Sequence, residues 1–127
     1  LGLDLGLPTE AGSTLSIQCG DATIVYELNN SPAAKSLLAQ LPLTLEVEPY
    51  STNEQTFYPT EKLDTADTPS ITSAQVGTLA YFAPWGDVVM FYGEFSGGGG
   101  GLYELGQAVD GVDAIRGLSG TITITAK

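Results

Sequence analysis

The densest run of apolar and aromatic residues in the chain predicts a β-hairpin. Its two halves, residues 76–83 and 87–95, are rich in Val, Phe and Tyr, which suit a pleated strand, and neither half contains an internal proline. In the intervening P-W-G-D segment, Pro84 cannot donate to a strand ladder and Gly86 permits the backbone angles of a tight reversal. We therefore expect two neighbouring antiparallel strands joined by a short turn.

The second strand of this hairpin is apolar on both faces. Alternation places Val89, Phe91 and Phe95 on one face, and Val88, Met90, Tyr92 and Glu94 on the other. Bulky apolar residues in both directions are typical of a strand that is covered on both sides. A helix or loop is therefore expected over the outside of a closed sheet.

Regular alternation between residues 14 and 28 predicts an earlier hairpin, split at Gly20-Asp21. Polar Thr, Ser, Gln and Glu residues separate the apolar ones, as in antiparallel strands with one wet face. The inward positions are Leu15, Ile17, Cys19, Ala22, Ile24, Tyr26 and Leu28. Cys19 is expected to be a small buried core residue, and as the only cysteine it cannot form an internal disulfide.

The period changes from two to 3.6 over residues 31–41, which predicts an amphipathic helix. Ser31 suits an N-cap, and Pro32 suits the first helical position, where its missing N–H has no intrahelical partner to lose. The apolar stripe consists of Ala34, Leu37, Leu38 and Leu41. Pro42 disfavours helical geometry at the preceding residue, so the helix is expected to stop at Leu41.

Shorter patterns predict the remaining elements and the domain organisation. Strands are expected at residues 43–48, 54–58, 102–109 and 121–125, a polar turn at 49–53, a long surface loop at 60–75, a glycine loop tip at 97–101, and a short helical turn at 112–116 capped by Asp110. About seven or eight strands with one good helix predict a mainly β domain over residues 14–127, either a barrel or a sandwich. Residues 1–13 are expected to form an N-terminal arm or an added edge strand.

Charge narrows the range of partners. The 127 residues include 15 Asp and Glu but only 4 Lys and Arg, a formal net charge of -11. Nucleic acid and anionic membrane surfaces are poor partners, because both are bound through clustered basic residues. A cationic ligand, a basic peptide or a neutral molecule fits better, unless the charge serves solubility alone.

The sequence also bears on membrane insertion and location. No apolar run approaches the roughly 20 residues of a transmembrane helix, so no membrane span is expected. The first residue is Leu rather than Met, which leaves room for a preceding signal peptide and favours export, with the cytoplasm as the alternative.

The absence of histidine excludes several kinds of chemistry. Ser-His-Asp and Cys-His catalysis both need an imidazole, and a tetrahedral zinc site would have one Cys and carboxylates to draw on. The pairs Glu46 with Glu48 and Asp64 with Asp67 match no calcium-loop spacing, and alternating acids on a strand usually form a solvated face. The run Gly97–Gly101 lacks the lysine of a phosphate-binding loop. No metal or cofactor is therefore expected.

Three segments resemble bacterial and archaeal cyclophilin-like domains, which are small β-barrel proteins of mostly unassigned function. They are P-A-A-K-S-L-L-A-Q-L-P-L-T-L at 32–45, A-Y-F-A-P-W-G-D-V-V-M-F-Y at 80–92 and G-L-Y-E-L-G at 101–106. The resemblance is collinear over about residues 14–126. It implies a closed barrel with a groove along one outer face.

Departures from the family pattern bear on catalysis. Relatives tend to read Y-x-G-x-E-K where this chain reads Y-S-T-N-E-Q from Tyr50, and L-G-R-I where it reads L-G-Q-A from Leu105. The five glycines after Ser96 stand where relatives usually carry aromatic or polar residues. Cyclophilins isomerise X-Pro bonds with an arginine on an early strand beside a pocket that carries a histidine. This chain has no histidine, and its single arginine, Arg116, falls in the predicted C-terminal turn.

Aromatic residues gather around the central hairpin and its neighbours and supply the candidate ligand site. About half of them are expected in the core, while amphipathic rings are typical of grooves that take peptides or small planar ligands. The candidate groove residues are Tyr50, Tyr58, Tyr81 and Trp85 as exposed rings, with Glu54 as a polar partner.

Three functions follow from these observations. The favoured hypothesis is a non-catalytic binding module that engages a peptide or a small ligand through the aromatic groove. The alternatives are a peptidyl-prolyl isomerase with a non-standard site, and a structural or interaction domain of an exported protein.

Overall fold

A computed structural model describes residues 13–97 and 100–127, and within them eight antiparallel strands close into a barrel. The described residues form ten strands, of which eight build the barrel: β1 (Thr14–Cys19), β2 (Ala22–Leu28), β3 (Leu43–Tyr50), β4 (Glu54–Phe57), β5 (Ser73–Ala74), β6 (Thr78–Phe82), β7 (Asp87–Phe91), β8 (Phe95–Ser96), β9 (Leu102–Asp110) and β10 (Gly120–Ala126). Helix α1 spans Pro32–Leu38 and a 3-10 helix spans Val112–Gly117. The barrel order is β9-β2-β1-β10-β3-β4-β7-β6, and β6 pairs again with β9; β5 and β8 form a separate ribbon. The predicted closed barrel is confirmed.

The central hairpin forms as expected, but its second strand is shorter. β6 and β7 pair antiparallel, with Phe82 opposite Asp87 and Tyr81 opposite Val88. β7 ends at Phe91 rather than at Phe95. The Tyr92 N–H still donates to the Asn53 carbonyl (3.0 Å), in register with the β4–β7 pairing, and the chain then leaves the barrel. The residues beyond pair with β5 instead, as β8.

β7 is buried on both faces, as its sequence predicts. Val88 and Met90 belong to the main core inside the barrel. Val89 and Phe91 belong to a second apolar cluster on the outside, together with Ala80 and Leu102, against which Ile71, Ala74, Phe82 and Phe95 pack. The outer cover comes from the segment that carries β5 and from β8, so the long loop predicted at 60–75 includes a short strand.

The first hairpin is confirmed, with β1 and β2 paired from Thr14 opposite Glu27 to Cys19 opposite Ala22. Cys19 is half-buried at its end and packs against the main core. Its thiol donates to the Ser119 carbonyl at 3.2 Å.

Helix α1 begins as predicted and ends three residues early. The Ser31 hydroxyl accepts from the Ala34 N–H at 3.2 Å, and Pro32 is the first helical residue. The predicted end at Leu41 is wrong. The Gln40 and Leu41 N–H groups donate to carbonyls three residues back, at 3.1 and 3.2 Å, because the last turn tightens before Pro42.

The 3-10 helix begins at Val112, as predicted, and its N-cap lies one residue after the expected one. Gly111 precedes it with φ 79°, and no side chain caps its first turn, so the predicted cap at Asp110 is wrong. A glycine tolerates this left-handed backbone without strain, whereas a capping Asp would need extended geometry at the same point.

Strand β9 passes unusually close to its neighbour β2. A side chain at Gly106 would collide with the Glu27 carbonyl oxygen and would lie 2.9 Å from the Leu28 Cα. The β9–β6 pairing shifts register between Glu104 and Gly106 at the same place. A glycine there lets the two backbones approach while the barrel closes.

Two predictions concern segments that the structure describes only in part. The predicted N-terminal arm or edge strand at residues 1–13 is described only at Ser13, whose carbonyl accepts from the Leu28 N–H at 2.8 Å. The glycine loop is described at residues 97, 100 and 101. In the described part of the chain, no helix has the length and apolar character needed to cross a membrane.

Candidate functional site

Strand register places a row of site residues on one outer face of the barrel. Tyr50 on β3 lies opposite Glu54 on β4, and Glu54 lies opposite Phe91 on β7. Residues that face each other across an antiparallel ladder project to the same side of the sheet. These three side chains therefore share the outer face.

A second row runs parallel to the first at the other end of β7. Asp87 lies opposite Phe82 on β6, and Phe82 lies opposite Leu102 on β9. Val89 sits between the rows, on the same face of β7 as Asp87 and Phe91. The two rows bound an area that five strands hold in place, β3, β4, β7, β6 and β9.

This area forms a cleft of about 340 Å³, which we call the aromatic cleft. Its volume is in the range of small-molecule sites. The walls are mostly apolar, with two carboxyl groups among them. The lining residues are Tyr50, Glu54, Phe82, Trp85, Asp87, Val89, Phe91, Phe95, Gly97, Gly100 and Leu102.

Trp85 forms one wall of the aromatic cleft, between two other rings. Its ring meets Tyr50 at a centroid distance of 5.2 Å and an interplanar angle of 85°, and it meets Phe82 at 5.6 Å and 76°. Edge-to-face geometry of this kind is favourable for aromatic pairs. Tyr50 is 47% exposed and Trp85 is 52% exposed, so both present ring surface to solvent.

The turn that carries Trp85 is supported by the glycine segment. The Ala83 N–H donates to the Gly101 carbonyl at 2.8 Å. Gly101 has φ 87°, and a Cβ there would lie 2.8 Å from the Pro84 Cδ. A glycine at position 101 therefore lets the segment that precedes β9 rest directly on this turn.

Two carboxyl groups of the cleft have raised pKa values. Burial, and then the charge of Asp87, raise the pKa of Glu54 to about 7. Burial is also the main cause that raises the pKa of Asp87 to about 6; the charge of Glu48 adds to it, and a hydrogen bond to the Asp87 backbone opposes it. Burial penalises the charged form of a carboxyl group, and neighbouring carboxylates do the same.

Asp87 stands out because it is only 3% exposed. Its Oδ1 atom is buried and has no hydrogen-bond partner among the described residues. Buried polar atoms are nearly always paired in folded proteins. Asp87 thus holds an unused acceptor at the edge of the aromatic cleft.

The structure brings together three of the residues proposed from the sequence. Tyr50, Glu54 and Trp85 line the aromatic cleft. Tyr58 is 45% exposed and follows β4, but it is not among the lining residues. The pKa of Tyr58 is raised by burial and then by the charges of Asp87 and Glu48.

The expectation that Tyr81 is exposed is wrong. It is 1% exposed, belongs to the main core, and its hydroxyl accepts from the Leu63 N–H at 3.2 Å. Tyr81 pairs with Val88, which points into the barrel, so it shares the inner face. The neighbouring ring, Phe82, occupies the outer face in its place.

Sequence reasoning missed Asp87, which belongs both to the P-W-G-D segment and to the start of the predicted second strand and was assigned to neither face of that strand. The alternation that places Val89 and Phe91 on one face also places Asp87 there, two residues earlier. That pattern would have put a carboxylate beside the apolar outer cluster. The contributions of Leu102 and Gly100 depend on which strands become neighbours, and no local pattern carries that information.

Other groups considered in the sequence lie away from the cleft lining. The Arg116 guanidinium carbon sits 4.9 Å from the centroid of the Tyr92 ring. Glu46 accepts from the Thr121 hydroxyl at 2.7 Å, and Asp64 accepts from the Ala66 N–H at 3.0 Å. Across residues 13–97 and 100–127, no three acidic or cysteine side chains cluster as metal ligands.

The fold is a small antiparallel barrel with a cleft on its outer surface, and comparison with known proteins gives the family. The model of the Cyclophilin-like family matches residues 17–127, so the chain belongs to that family. The solution structure of a hypothetical protein from Archaeoglobus fulgidus is similar, with a TM-score of 0.69 and 14% identity over 91% of this chain and 95% of that one. At this identity the likeness shows the fold alone. No curated protein matches the chain significantly.

Proposed function

We propose that this protein is a non-catalytic binding module that takes a small ligand, or one side chain of a peptide, in the aromatic cleft. The observation that carries the proposal is a cleft of about 340 Å³ with aromatic walls, together with a buried Asp87 oxygen that has no partner among the described residues. Binding sites are typically concave and mostly apolar, with a few polar groups that fix the ligand's orientation.

The position of the cleft supports binding by a preformed site. Val89 and Phe91 lie in the outer apolar cluster, on a strand whose other face packs into the main core. The rings of Tyr50 and Trp85 are half exposed and hold each other edge to face. A ligand therefore meets walls that are already ordered, which reduces the entropic cost of binding.

A fragment screen followed by amide chemical-shift mapping tests the proposal. Neutral, cationic and anionic aromatic fragments would be added to the 15N-labelled protein, and Trp85 fluorescence would be followed in parallel, since it is the single tryptophan. Shift changes concentrated at Tyr50, Glu54 and Trp85 are expected. Saturable shifts elsewhere, or none from any fragment at millimolar concentration, would refute the proposal.

Prolyl isomerisation is the second function suggested by the sequence. Its usual site, an arginine on an early strand beside a pocket with a histidine, is not matched by the residues of the cleft lining. Arg116 stacks on Tyr92, and the described lining of the cleft contains no basic side chain. A protease-coupled assay on an X-Pro peptide separates the two functions. Acceleration that disappears in a Trp85→Ala variant would favour the isomerase, and we expect none.

A further inference from the structure

We infer, building on the proposed binding function, that the aromatic cleft selects an organic cation: an ammonium or guanidinium group on an apolar body, with its charge held against Glu54 and Asp87. The inference concerns the ligand's chemical class. It rests on the placement of the two carboxyl groups, on the walls around them and on the absence of a basic partner in the described lining.

The two carboxyl groups belong to neighbouring strands and face the same cleft. Glu54 begins β4 and Asp87 begins β7, and these strands pair with Glu54 opposite Phe91 and Phe57 opposite Val88. Both side chains therefore project from the outer face at opposite ends of a short ladder, with Val89 between them. A ligand lying along this ladder contacts apolar surface in the middle and carboxylate at an end.

Asp87 supplies independent evidence that a donor is missing. Its side chain is almost wholly buried, and its Oδ1 has no partner among the described residues. Leaving a buried acceptor unpaired is destabilising, and more so when the group is charged. A ligand N–H group would satisfy the oxygen, which a ligand carrying only acceptors would not do.

The electrostatics of the surrounding elements favour a positive charge. The titratable groups around Asp87 are Glu48 and Tyr50 on β3, Glu54 on β4 and Tyr58 just after it. Burial and neighbouring carboxylates raise the pKa of Glu54 to about 7 and that of Asp87 to about 6. A bound cation would stabilise both ionised forms, and by reciprocity ionisation would strengthen its binding.

The walls favour an organic cation over a metal ion. Tyr50 and Trp85 expose ring surface beside the carboxyl groups, and aromatic faces attract ammonium and guanidinium groups. Calcium takes six to eight oxygen ligands and magnesium needs octahedral coordination. The described lining offers two carboxyl groups in a mostly apolar surface, which suits a monovalent charge on a hydrophobic body.

Three compounds with one carbon skeleton provide the test: 3-phenylpropylamine, 3-phenylpropanol and 3-phenylpropanoate. Affinities would be measured by Trp85 fluorescence and chemical-shift titration at about pH 8.5 and about pH 5, where the amine stays protonated. We expect the amine to bind about tenfold more tightly than the alcohol near pH 8.5, and less than about threefold more tightly near pH 5. The carboxylate is expected not to bind at the higher pH.

Matched variants test whether the preference for the amine depends on the two carboxyl groups of the cleft. Glu54→Gln is expected to remove most of the preference for the amine near pH 8.5, and Asp87→Asn to do the same where it folds. Glu61→Gln makes the same change at an exposed position outside the cleft lining and is expected to keep the preference. The pH comparison on the unaltered protein tests the inference even if a variant fails to fold.

The possible results separate this inference from the proposed function. Equal affinity for amine and alcohol at both pH values would overturn the cation inference and leave a binding module. Failure of all three compounds to bind, while other fragments map to the cleft, would overturn the inference alone. If the broader fragment set is also silent, both are overturned.

Discussion

The ring of Tyr50 meets the ring of Trp85 edge to face, at 5.2 Å between centroids, and so joins the end of β3 to the turn between β6 and β7. The two residues are 35 positions apart in the chain, and each leaves about half of its surface exposed. Their contact therefore fixes one wall of the aromatic cleft without closing it.

Replacing Tyr50 by Ala should weaken ligand binding and move the Trp85 fluorescence maximum to longer wavelength. The substitution removes one ring of the wall and exposes more of the indole to water. We expect about a tenfold loss of affinity for a cleft-bound fragment. This corresponds to the free energy of one aromatic contact together with that of the apolar surface it buries. Tyr58→Ala removes a similarly exposed ring outside the lining and should leave both readouts unchanged, so equal effects of the two variants would contradict the assignment.

The unfolding free energy should fall as pH rises from about 4.5 to about 7. Glu54 has an ordinary pKa of 4.5 and a folded pKa of about 7, so the folded state binds more protons than the unfolded state across this window. The ordinary pKa of Asp87 is 3.8 and its folded pKa is about 6, so Asp87 also lowers the unfolding free energy as the pH rises between these values. The stability that each carboxyl group contributes is greatest at pH values below its unfolded-state pKa. It is lost as the pH rises through its folded-state pKa.

Urea denaturation at a series of pH values measures this dependence. In Glu54→Gln the slope should flatten between about pH 5 and 7, and the midpoint near pH 8 should rise, because the variant carries no charge to desolvate. Glu61→Gln is the control. A wild-type midpoint that climbs over this pH window, with no difference in the Glu54→Gln variant, would contradict the raised pKa.

Tyr81→Phe should destabilise the protein and leave the cleft unaffected. The Tyr81 hydroxyl accepts from the buried Leu63 N–H, and its removal leaves that donor unpaired at a cost of about 1–3 kcal/mol. Tyr26→Phe is the matched comparison, since the Tyr26 hydroxyl is buried without a partner among the described residues, and its loss should cost less than about 0.5 kcal/mol. Chemical denaturation and fragment titration on both variants check the prediction. Weaker fragment binding by the Tyr81→Phe variant would mean that Tyr81 contributes to the ligand site.

Gly106→Ala should be strongly destabilising, whereas Gly117→Ala should be tolerated. An added Cβ at Gly106 collides with the backbone of β2, while one at Gly117 meets no atom within 4 Å. Overpacking of this kind costs about 1–3 kcal/mol, and a substitution in open space stays within about 0.5 kcal/mol. Thermal unfolding of the two variants makes the comparison, and equal melting temperatures would mean that β9 and β2 are less close than described.

Local pattern was sufficient for most of the fold. Alternation marked both hairpins, and the doubly apolar second strand correctly implied a covered outer face, because a strand's side-chain period is fixed by its geometry. Element ends were less predictable. α1 stops before Leu41, and β7 stops at Phe91 because the residues that follow pair with β5 as β8.

The candidate site was predictable only in part. Tyr50, Glu54 and Trp85 could be selected as amphipathic groups near the hairpin, but composition does not say which face of β6 points outward, and Tyr81 was placed on the wrong one. Asp87 lies where the predicted turn meets the second strand, and it was assigned to neither face of that strand. Its importance arises from burial beneath neighbours that only the folded barrel brings together.

The double burial of β7 has a consequence for how the cleft moves. Val89 and Phe91 form the cleft floor, while Val88 and Met90 on the same strand are part of the barrel interior. Because both faces of this strand are buried, we expect its amide protons to be among the slowest to exchange with solvent of those in the described residues. We therefore expect the floor of the aromatic cleft to stay ordered as long as the barrel is folded. Adjustment to different ligands would occur in the half-exposed rings of Tyr50 and Trp85.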